Sequence, residues 1–230
     1  MAQSNPSKSE IDRLGNRLRD TVSPDDLRML HSYRLSFAAA YIAVLDEIRT
    51  SIGVAATGRP AKSTTAIVDK LRRESIRLSQ MQDIAGCRIV VDSYARQEAL
   101  VNELTALFSA SIISDRRKHP SHGYRAVHLI VPHDNRCVEV QVRTELQHLW
   151  AELSEKLADK FGIDVKYGGG PKRVRAVLDN LLDYEFIEVA EHVVKPNELA
   201  FEEIQDRKKW FQDVLTKLLS TAKEDDDFLG

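Results

Sequence analysis

The sequence predicts an α/β (α+β) fold in which a mixed β-sheet is flanked by helices, with helical extensions at both ends. Three patterns indicate this class. Short apolar runs of strand length alternate with longer stretches of helical periodicity. Two of the strand-like runs are joined by a turn-rich connection at 132–136, which is typical of an antiparallel hairpin. From Glu145 onward the pattern is helical.

The N-terminal part of the chain, residues 1–50, is predicted to be a helical arm. Ser23-Pro24-Asp25-Asp26 is a helix start, because serine is a good N-cap, proline suits the first turn and acids complement the positive end of the helix dipole. The helical pattern then runs to about Ile48. Glycine and proline break it between 53 and 60, and a second helix is expected over 62–79.

The central part contains the predicted sheet. We expect strands at 86–92, 111–114, 124–131 and 137–143, and helices at 94–108 and 145–161. The last two strands are expected to pair antiparallel through their short connection. The sheet is therefore predicted to lie within a single core.

The C-terminal part is predicted to consist of helices. After Gly168-Gly169-Gly170-Pro171 one helix is expected to about residue 193, and another follows Pro196 to about residue 222. This organisation divides the chain into a helical arm at 1–50, a core at 51–167 and C-terminal helices at 168–230.

Composition narrows the class of protein. Thirty-three Lys+Arg against 35 Asp+Glu give a formal net charge of -2, which excludes a general polyanion binder that depends on overall positive charge. Cys87 and Cys137 lack metal-ligand spacing and indicate a reducing compartment. Residues 1–10 have no signal-peptide pattern, and the apolar stretch 35–45 is too short to span a bilayer. We therefore expect a cytoplasmic protein without membrane association.

The helix predicted at 62–79 has a cationic face. At about 100° per residue, Lys62 and Lys70 fall within roughly 80° of each other, opposite the apolar side chains. With Arg59 just before the helix, this face could bind a polyphosphate at the helix N-terminus. An ordinary solvated lysine face is the alternative. A Walker-type phosphate loop is excluded, because Ala61 rather than glycine precedes Lys62.

Two acids form a second candidate feature. Asp83 lies just before the strand that carries Arg88, and Glu139 lies on the polar side of a later strand. Two carboxylates beside a basic phosphate site are what Mg²⁺ with a nucleotide requires. Alternatively, Asp83 caps a turn and Glu139 pairs with Arg143 on its own strand face.

A polar sheet face is the third feature. Strand alternation places Tyr124 and His128 on one face of their strand, and it places Glu139, Gln141 and Arg143 on one face of the next. If the valines of 137–143 face the core, the two polar faces coincide, and an aromatic ring there could stack a base. Cross-strand packing for Tyr124 and a surface position for His128 are the alternatives.

Four ordered stretches of the chain resemble motifs of the RelA/SpoT family. They are DIAGCR at 83–88, GYRAVH at 123–128, EVQVRT at 139–144, and His148 followed by WAE at 150–152. The chain is similar to the family's synthetase domain, which makes the alarmones (p)ppGpp. The resemblance implies a nucleotidyltransferase-like mixed sheet and Mg²⁺-dependent transfer of pyrophosphate from ATP to the 3'-hydroxyl of GDP or GTP. The chain looks like a small synthetase without the hydrolase domain.

The resemblance also implies roles for individual residues. It assigns Arg59 and Arg88 to the adenine, Lys62 and Lys70 to the ATP phosphates, Asp83 to the metal, Glu139 to the metal or to activation of the 3'-oxygen, Tyr124 to the acceptor base, and His128, Gln141 and Arg143 to supporting the acceptor. One departure concerns the donor side. Arg59 and Lys62 are separated by two residues, where the family usually has one.

Two other functions remain open from the sequence. A toxin-type relative would pyrophosphorylate the 3' end of tRNA, held by the basic clusters at 116–118, 172–175 and 207–209. A catalytically silent nucleotide-binding protein is the second, although it would not need both acids. The C-terminal helices could carry a homo-oligomer contact or bind an antitoxin.

Overall fold

The computed structural model describes residues 6–180 and 199–224. Its strands form one five-stranded sheet in the order β1-β2-β5-β4-β3. They comprise β1 (Thr57–Arg59), β2 (Ala85–Val91), β3 (Ile112–Asp115), β4 (Val127–His133) and β5 (Arg136–Thr144). The mixed sheet and its flanking helices confirm the predicted fold class.

The N-terminal arm contains three helices, α1 (Lys8–Asp20), α2 (Pro24–Leu35) and α3 (Ala38–Ser51). The predicted N-cap is confirmed, because the Ser23 side chain accepts a hydrogen bond from the backbone N–H of Asp26, in a capping box. The prediction of one continuous helix to Ile48 is wrong, since α2 ends at Leu35 and α3 begins at Ala38.

Tertiary contacts explain the break between α2 and α3. The Ser36 hydroxyl donates to the Tyr33 carbonyl at 2.6 Å, which competes with regular helical bonding. Phe37 is buried and meets the Tyr33 ring edge-on, with centroids 5.2 Å apart. The guanidinium of Arg136 lies over both rings and donates to Ser36 Oγ at 2.9 Å. Arg136 comes from a distant part of the sequence, so its contacts leave no local signal.

Helix α4 (Thr64–Arg73) is shorter than the predicted helix at 62–79, and a 3₁₀ turn at Leu78–Gln80 follows it. Ser63 caps its N-terminus, accepting from the Ala66 N–H. At its C-terminus, Arg19 of α1 donates to the carbonyls of Glu74 and Ile76 and thereby stabilises an extended segment. The amphipathic assignment is confirmed, because the apolar side of α4 is buried.

Helices α5 (Tyr94–Leu107) and α6 (Glu145–Phe161) agree with the predictions. Strand β4 differs, because it begins at Val127 rather than residue 124. His122 and Gly123 have φ values of 51° and 88°, and the Tyr124 N–H bonds back to the Ser121 carbonyl. A tight turn therefore precedes the strand. Tyr124 lies in this turn region rather than in β4.

The C-terminal helices described are α7 (Lys172–Asn180) and α8 (Leu199–Glu224), and a 3₁₀ turn at Ile163–Tyr167 precedes α7. The predicted helical segment at 181–193 and the acidic residues after 224 lie outside the described residues. Helix α8 packs on α6 through a hydrophobic cluster. Its buried members are Leu146, Trp150, Leu153, Leu157, Ala158, Val165, Val174, Leu178, Phe211 and Leu215.

The chain forms two compact units. The first comprises Met1–Ile89, Leu104–Ile113 and His128–Gln141, and the second comprises Val90–Glu103, Ser114–Val127 and Val142–Gly230. The three-part domain division stays a prediction. Among residues 6–180 and 199–224, no helix has the length and apolarity needed to cross a membrane.

Candidate active site

The first unit holds a pair of lysines on one carboxylate. Lys62 Nζ lies 2.6 Å from Asp83 Oδ2, and Lys70 Nζ lies 3.0 Å from Asp83 Oδ1. Lys62 stands just before α4 and Lys70 at the end of its second turn, so the helix brings both ammonium groups to one point. The backbone N–H of Lys62 also donates to the Ile84 carbonyl at 2.6 Å, which ties the start of α4 to the entrance of β2.

Asp83 is held ionised. Burial raises its pKa, but the charges of Lys62 and Lys70 and their hydrogen bonds lower it by more, so the pKa lies below its ordinary value of 3.8. The side chains of all three residues are between 16% and 22% exposed. Solvent therefore screens this cluster less than it screens an ordinary surface ion pair.

Glu139 is oriented by two neighbours in the sheet. Its Oε1 lies 2.8 Å from His128 Nδ1, and its Oε2 accepts from Gln141 Nε2 at 2.6 Å. Burial raises the pKa of Glu139, whereas the hydrogen bond and charge of His128 and the bond from Gln141 lower it by more. The pKa consequently lies below the ordinary 4.5, and Glu139 is a carboxylate at neutral pH.

Asp83 and Glu139 lie close enough to interact, because the charge of Asp83 raises the pKa of Glu139 and so opposes the other effects. In the described part of the chain, no group of three or more His, Cys, Asp or Glu side chains is arranged to hold a metal. Two ionised carboxylates nevertheless fit Mg²⁺, which is commonly held by one or two carboxylates, waters and substrate phosphates. The acids therefore suit a cation that arrives with a nucleotide.

The register of β1 and β2 locates the two predicted adenine ligands. The strands are antiparallel, with Arg59 opposite Gly86 and Thr57 opposite Arg88. Since opposed residues project from the same face, Arg59 and Arg88 share a face as diagonal neighbours, about 7–8 Å apart. A Cβ built on Gly86 would lie 3.5 Å from the Cβ of Glu139. Glu139 therefore borders the face that carries the two arginines.

The second unit contains the other two predicted site residues. Arg143 donates to the hydroxyl of Tyr124 at 2.9 Å, and its guanidinium lies 5.0 Å from the centre of the Tyr124 ring. Arg143 is buried at 4% exposure, whereas Tyr124 is half-buried and packs against the α6–α8 cluster. The alternation of buried and partly exposed residues along β5 ends at Val142, since both Val142 and Arg143 are buried.

One sequence-based alternative for nucleic-acid contact needs correction. The cluster at 116–118 is predicted to be a basic loop, but Arg117 is buried and bound to Asp115 at 2.8 Å and to Glu98 at 2.6 Å. Its guanidinium also lies 4.9 Å from the Tyr94 ring centre. Arg117 is therefore part of the fold and not available to an RNA backbone.

Next to Arg117 lies a buried pair of glutamine side chains, Gln97 and Gln147, that the sequence does not predict. The side chain of Gln97 is fully buried and donates to the Val142 carbonyl at 2.9 Å and to Gln147 at 2.8 Å. Gln147 is also the N3 residue of the capping box that begins α6. Glutamine within a helical pattern is ordinarily a surface residue, so no local signal distinguishes these two. They connect α5, the end of β5 and the start of α6.

Comparison with known proteins finds similarity over the sheet and the residues described above. Residues 58–162 match the family described as "Region found in RelA / SpoT proteins". These residues are therefore similar to the RelA/SpoT region. They contain all ten predicted site residues, from Arg59 to Arg143, and every contact described above between Lys62, Lys70, Asp83, His128, Glu139 and Gln141.

Two relatives extend the similarity beyond the RelA/SpoT region. A Mycobacterium tuberculosis protein named only as uncharacterised is 37% identical over 179 residues, covering 74% of this chain and 65% of the relative. The GTP pyrophosphokinase YjbM of Bacillus subtilis is 32% identical over 135 residues, covering 52% of this chain and 60% of that enzyme. The chain thus spans less than two thirds of the length of these relatives.

Solved structures share the fold of the RelA/SpoT region and its surroundings. The small alarmone synthetase 1 from Bacillus subtilis aligns with a TM-score of 0.54 at 24% identity, covering 83% of this chain and 100% of that one. A GTP pyrophosphokinase family protein from Streptococcus pneumoniae aligns with a TM-score of 0.53 at 20% identity, covering 85% and 98%. At these identities the likeness concerns the fold.

Proposed function

We propose that this chain is an ATP-dependent pyrophosphokinase that transfers the β,γ-pyrophosphate of ATP to the 3'-hydroxyl of GDP or GTP, producing ppGpp or pppGpp. The observation that carries the proposal is the joint position of the Lys62–Asp83–Lys70 cluster and the oriented Glu139 within the RelA/SpoT region. The 32% identity to a Bacillus subtilis protein named GTP pyrophosphokinase supports it. A further relative in fold was solved "bound to its product pppGpp".

The proposed reaction is an in-line displacement. The oxygen of the 3'-hydroxyl attacks the β-phosphorus of ATP, the bond from that phosphorus to the oxygen bridging to the α-phosphate breaks, AMP leaves with the electron pair, and the hydroxyl proton is released to water. Charge neutralisation and alignment contribute most of the catalysis in such a transfer. Lys62 and Lys70 supply two positive charges for the phosphates, and Arg59 and Arg88 share the face proposed for the adenine.

Asp83 and Glu139 are the residues that would hold Mg²⁺. When bound, this cation would neutralise phosphate charge and help to align the donor. The lowered pKa of Glu139 makes it a weak base. Glu139 therefore suits holding a cation or accepting a hydrogen bond from the 3'-hydroxyl better than it suits complete removal of a proton.

The acceptor contacts are proposed from separate observations in each unit. In the first unit, His128 and Gln141 fix both oxygens of Glu139 and so determine which direction its remaining lone pairs face. In the second unit, Tyr124 is half-buried and Arg143 fixes its hydroxyl. A half-buried ring held by a cation at its edge and face is suited to stacking a purine.

Transfer to the 3' end of tRNA is the alternative within the same chemistry. Exposed basic residues in α7 and α8 favour it, among them Lys172 and Arg175 in α7 and Arg207 and Lys209 in α8. The burial of Arg117 reduces the basic cluster at 116–118 to the exposed Arg116 and Lys118, which weakens this alternative. A silent nucleotide-binding protein is a weaker alternative, because binding alone does not need two ionised acids.

Acceptor preference separates these functions. The purified protein is incubated with Mg²⁺ and γ-labelled ATP, with GDP, GTP, ATP or tRNA offered in parallel. We expect label on GDP or GTP and none on tRNA. Labelled tRNA with unlabelled nucleotides would establish the toxin-type reaction. If no acceptor is labelled, the catalytically silent nucleotide-binding protein is the remaining alternative. A cytoplasmic location, a homo-oligomer and an antitoxin partner remain proposals of the same kind.

A further inference from the structure

The two ammonium groups assigned to the ATP phosphates already have an anionic partner within the protein. Lys62 binds one oxygen of Asp83 and Lys70 binds the other, so both carboxylate oxygens are in use. The three side chains are only 16% to 22% exposed. Asp83 therefore occupies the position that a phosphate oxygen would take between the two lysines.

A free polyphosphate competes poorly for this position. It must displace a carboxylate that is tethered to the same fold and thus present at a high effective concentration. It must also bring its negative charges beside ionised Asp83 and near ionised Glu139, where like charges in a partly desolvated site repel strongly. Both costs apply as long as Asp83 has no divalent cation bound to it.

We propose that Asp83 is a specificity-determining residue that makes polyphosphate binding by Lys62 and Lys70 conditional on a divalent cation. The inference rests on the proposed function in assigning the lysines to phosphates and Asp83 to the metal. A carboxylate that ligates a cation offers less negative charge to ammonium groups, so the lysines can turn to phosphate oxygens. The site thereby rejects ATP and inorganic polyphosphates when they are free of metal, because they then bring no cation for Asp83 to ligate.

The first test measures binding without an acceptor. Tripolyphosphate is titrated into the protein by calorimetry at constant ionic strength, once with EDTA and once with Mg²⁺. In EDTA we expect Asp83→Asn to bind at least tenfold more tightly than the unmodified protein, because the lysines are released. Mg²⁺ should strengthen binding at least tenfold in the unmodified protein and less than twofold in Asp83→Asn. Equal affinity of the two proteins in EDTA would overturn the proposal.

A matched control separates this effect from the change in net charge. Asp46 in α3 is paired only with Arg49 one turn away among the contacts described, and its side chain is 59% exposed. Asp46→Asn removes the same charge from the first unit without touching the lysines. We expect its affinity in EDTA to stay within twofold of the unmodified protein. A gain equal to that of Asp83→Asn would count against the proposal.

A second variant keeps the proposal testable if Asp83→Asn does not fold. Lys70→Gln should change tripolyphosphate affinity less than twofold in EDTA, where Lys70 is held by Asp83, and reduce it at least tenfold in Mg²⁺. Equal losses in both conditions would contradict the inference. These readouts involve no transfer, so a protein that binds as expected but labels no acceptor would overturn only the proposed function.

Discussion

At the scale of single residues, Asp83 and Glu139 are both held ionised, but by different kinds of partner. Asp83 is neutralised by two ammonium groups, whereas Glu139 receives one bond from an imidazole and one from an amide. Glu139 therefore keeps more of its negative charge. Because of this difference, Asp83 is suited to a position at which one cationic partner replaces another. Glu139 is suited to a position at which a negative charge is retained.

Replacing Glu139 tests that charge. Glu139→Gln keeps the size of the side chain but loses the charge, and one end of the amide becomes a donor toward His128 or Gln141. We expect pyrophosphate transfer to fall by a factor on the order of 100 to 1000, with a melting temperature close to that of the unmodified protein. Transfer is measured with labelled ATP, and Glu103→Gln on the surface of α5 is the matched control. Retained turnover in Glu139→Gln would exclude its proposed role.

The ion pairs of Asp83 also predict a dependence of stability on pH. Because its folded pKa lies below the unfolded value of about 3.8, the stabilisation is fully present above that value and is lost as pH falls through the folded pKa. At pH 7, Asp83→Asn should lower the free energy of unfolding by about 1–3 kcal/mol, since it leaves two ammonium groups poorly paired. Urea unfolding should show this difference shrinking below pH 4. A difference that does not change with pH would contradict the assignment.

At the scale of elements, strand β1 matters more than its length suggests. All three of its residues are exposed, yet its pairing with β2 places Arg59 on the face that Glu139 borders. The strand approaches β2 so closely that a Cβ on Gly58 would lie 2.4 Å from the Gly86 carbonyl oxygen and 2.5 Å from the Cα of Cys87. Glycine is needed here for close backbone approach.

Gly58→Ala therefore tests whether β1 positions Arg59. The methyl group meets backbone atoms, so β1 must separate from β2, while the buried core of the first unit is untouched. We expect the KM for ATP to rise at least fivefold with little change in the KM for the acceptor. Thr57→Ser, one residue earlier, is the control and should leave both constants within twofold. Equal effects on both substrates would indicate general loss of structure instead.

At the scale of the whole molecule, the C-terminal helices form part of the hydrophobic core of the second unit. Helix α8 contributes Phe211 and Leu215 to the cluster under α6, and both are almost completely buried. On the same helix, Trp210 is 61% exposed. Single substitutions can thus test the α6–α8 packing and the exposed face of α8 independently.

Leu215→Ala removes a buried side chain from this cluster and should destabilise the protein by about 2–5 kcal/mol. Trp210→Ala, on the exposed face, should change the free energy of unfolding by less than about 0.5 kcal/mol. Both values come from denaturant unfolding followed by circular dichroism. A negligible effect of Leu215→Ala would mean that α8 does not pack on α6 in solution.

Most elements were predictable because their signals are local. Strands β2 and β5 and helices α5 and α6 match the expected ranges closely, since strand alternation and amphipathic periodicity report directly on burial. The break between α2 and α3 was not predictable, because it depends on Arg136, about a hundred residues away. The same reason explains the burial of Arg117 and Gln97, whose partners are brought to them by the fold.

Taken alone, the sequence determined the fold class, the order of most elements and the residue types available for chemistry. Periodicity and motif spacing are properties of the chain itself. Only the tertiary structure decided which charges meet: that Lys62 and Lys70 both bind Asp83, that His128 and Gln141 bind Glu139, and that Arg143 is buried against Tyr124. The physical reason is that electrostatic pairing depends on distance and desolvation, and both are set by packing between segments far apart along the chain.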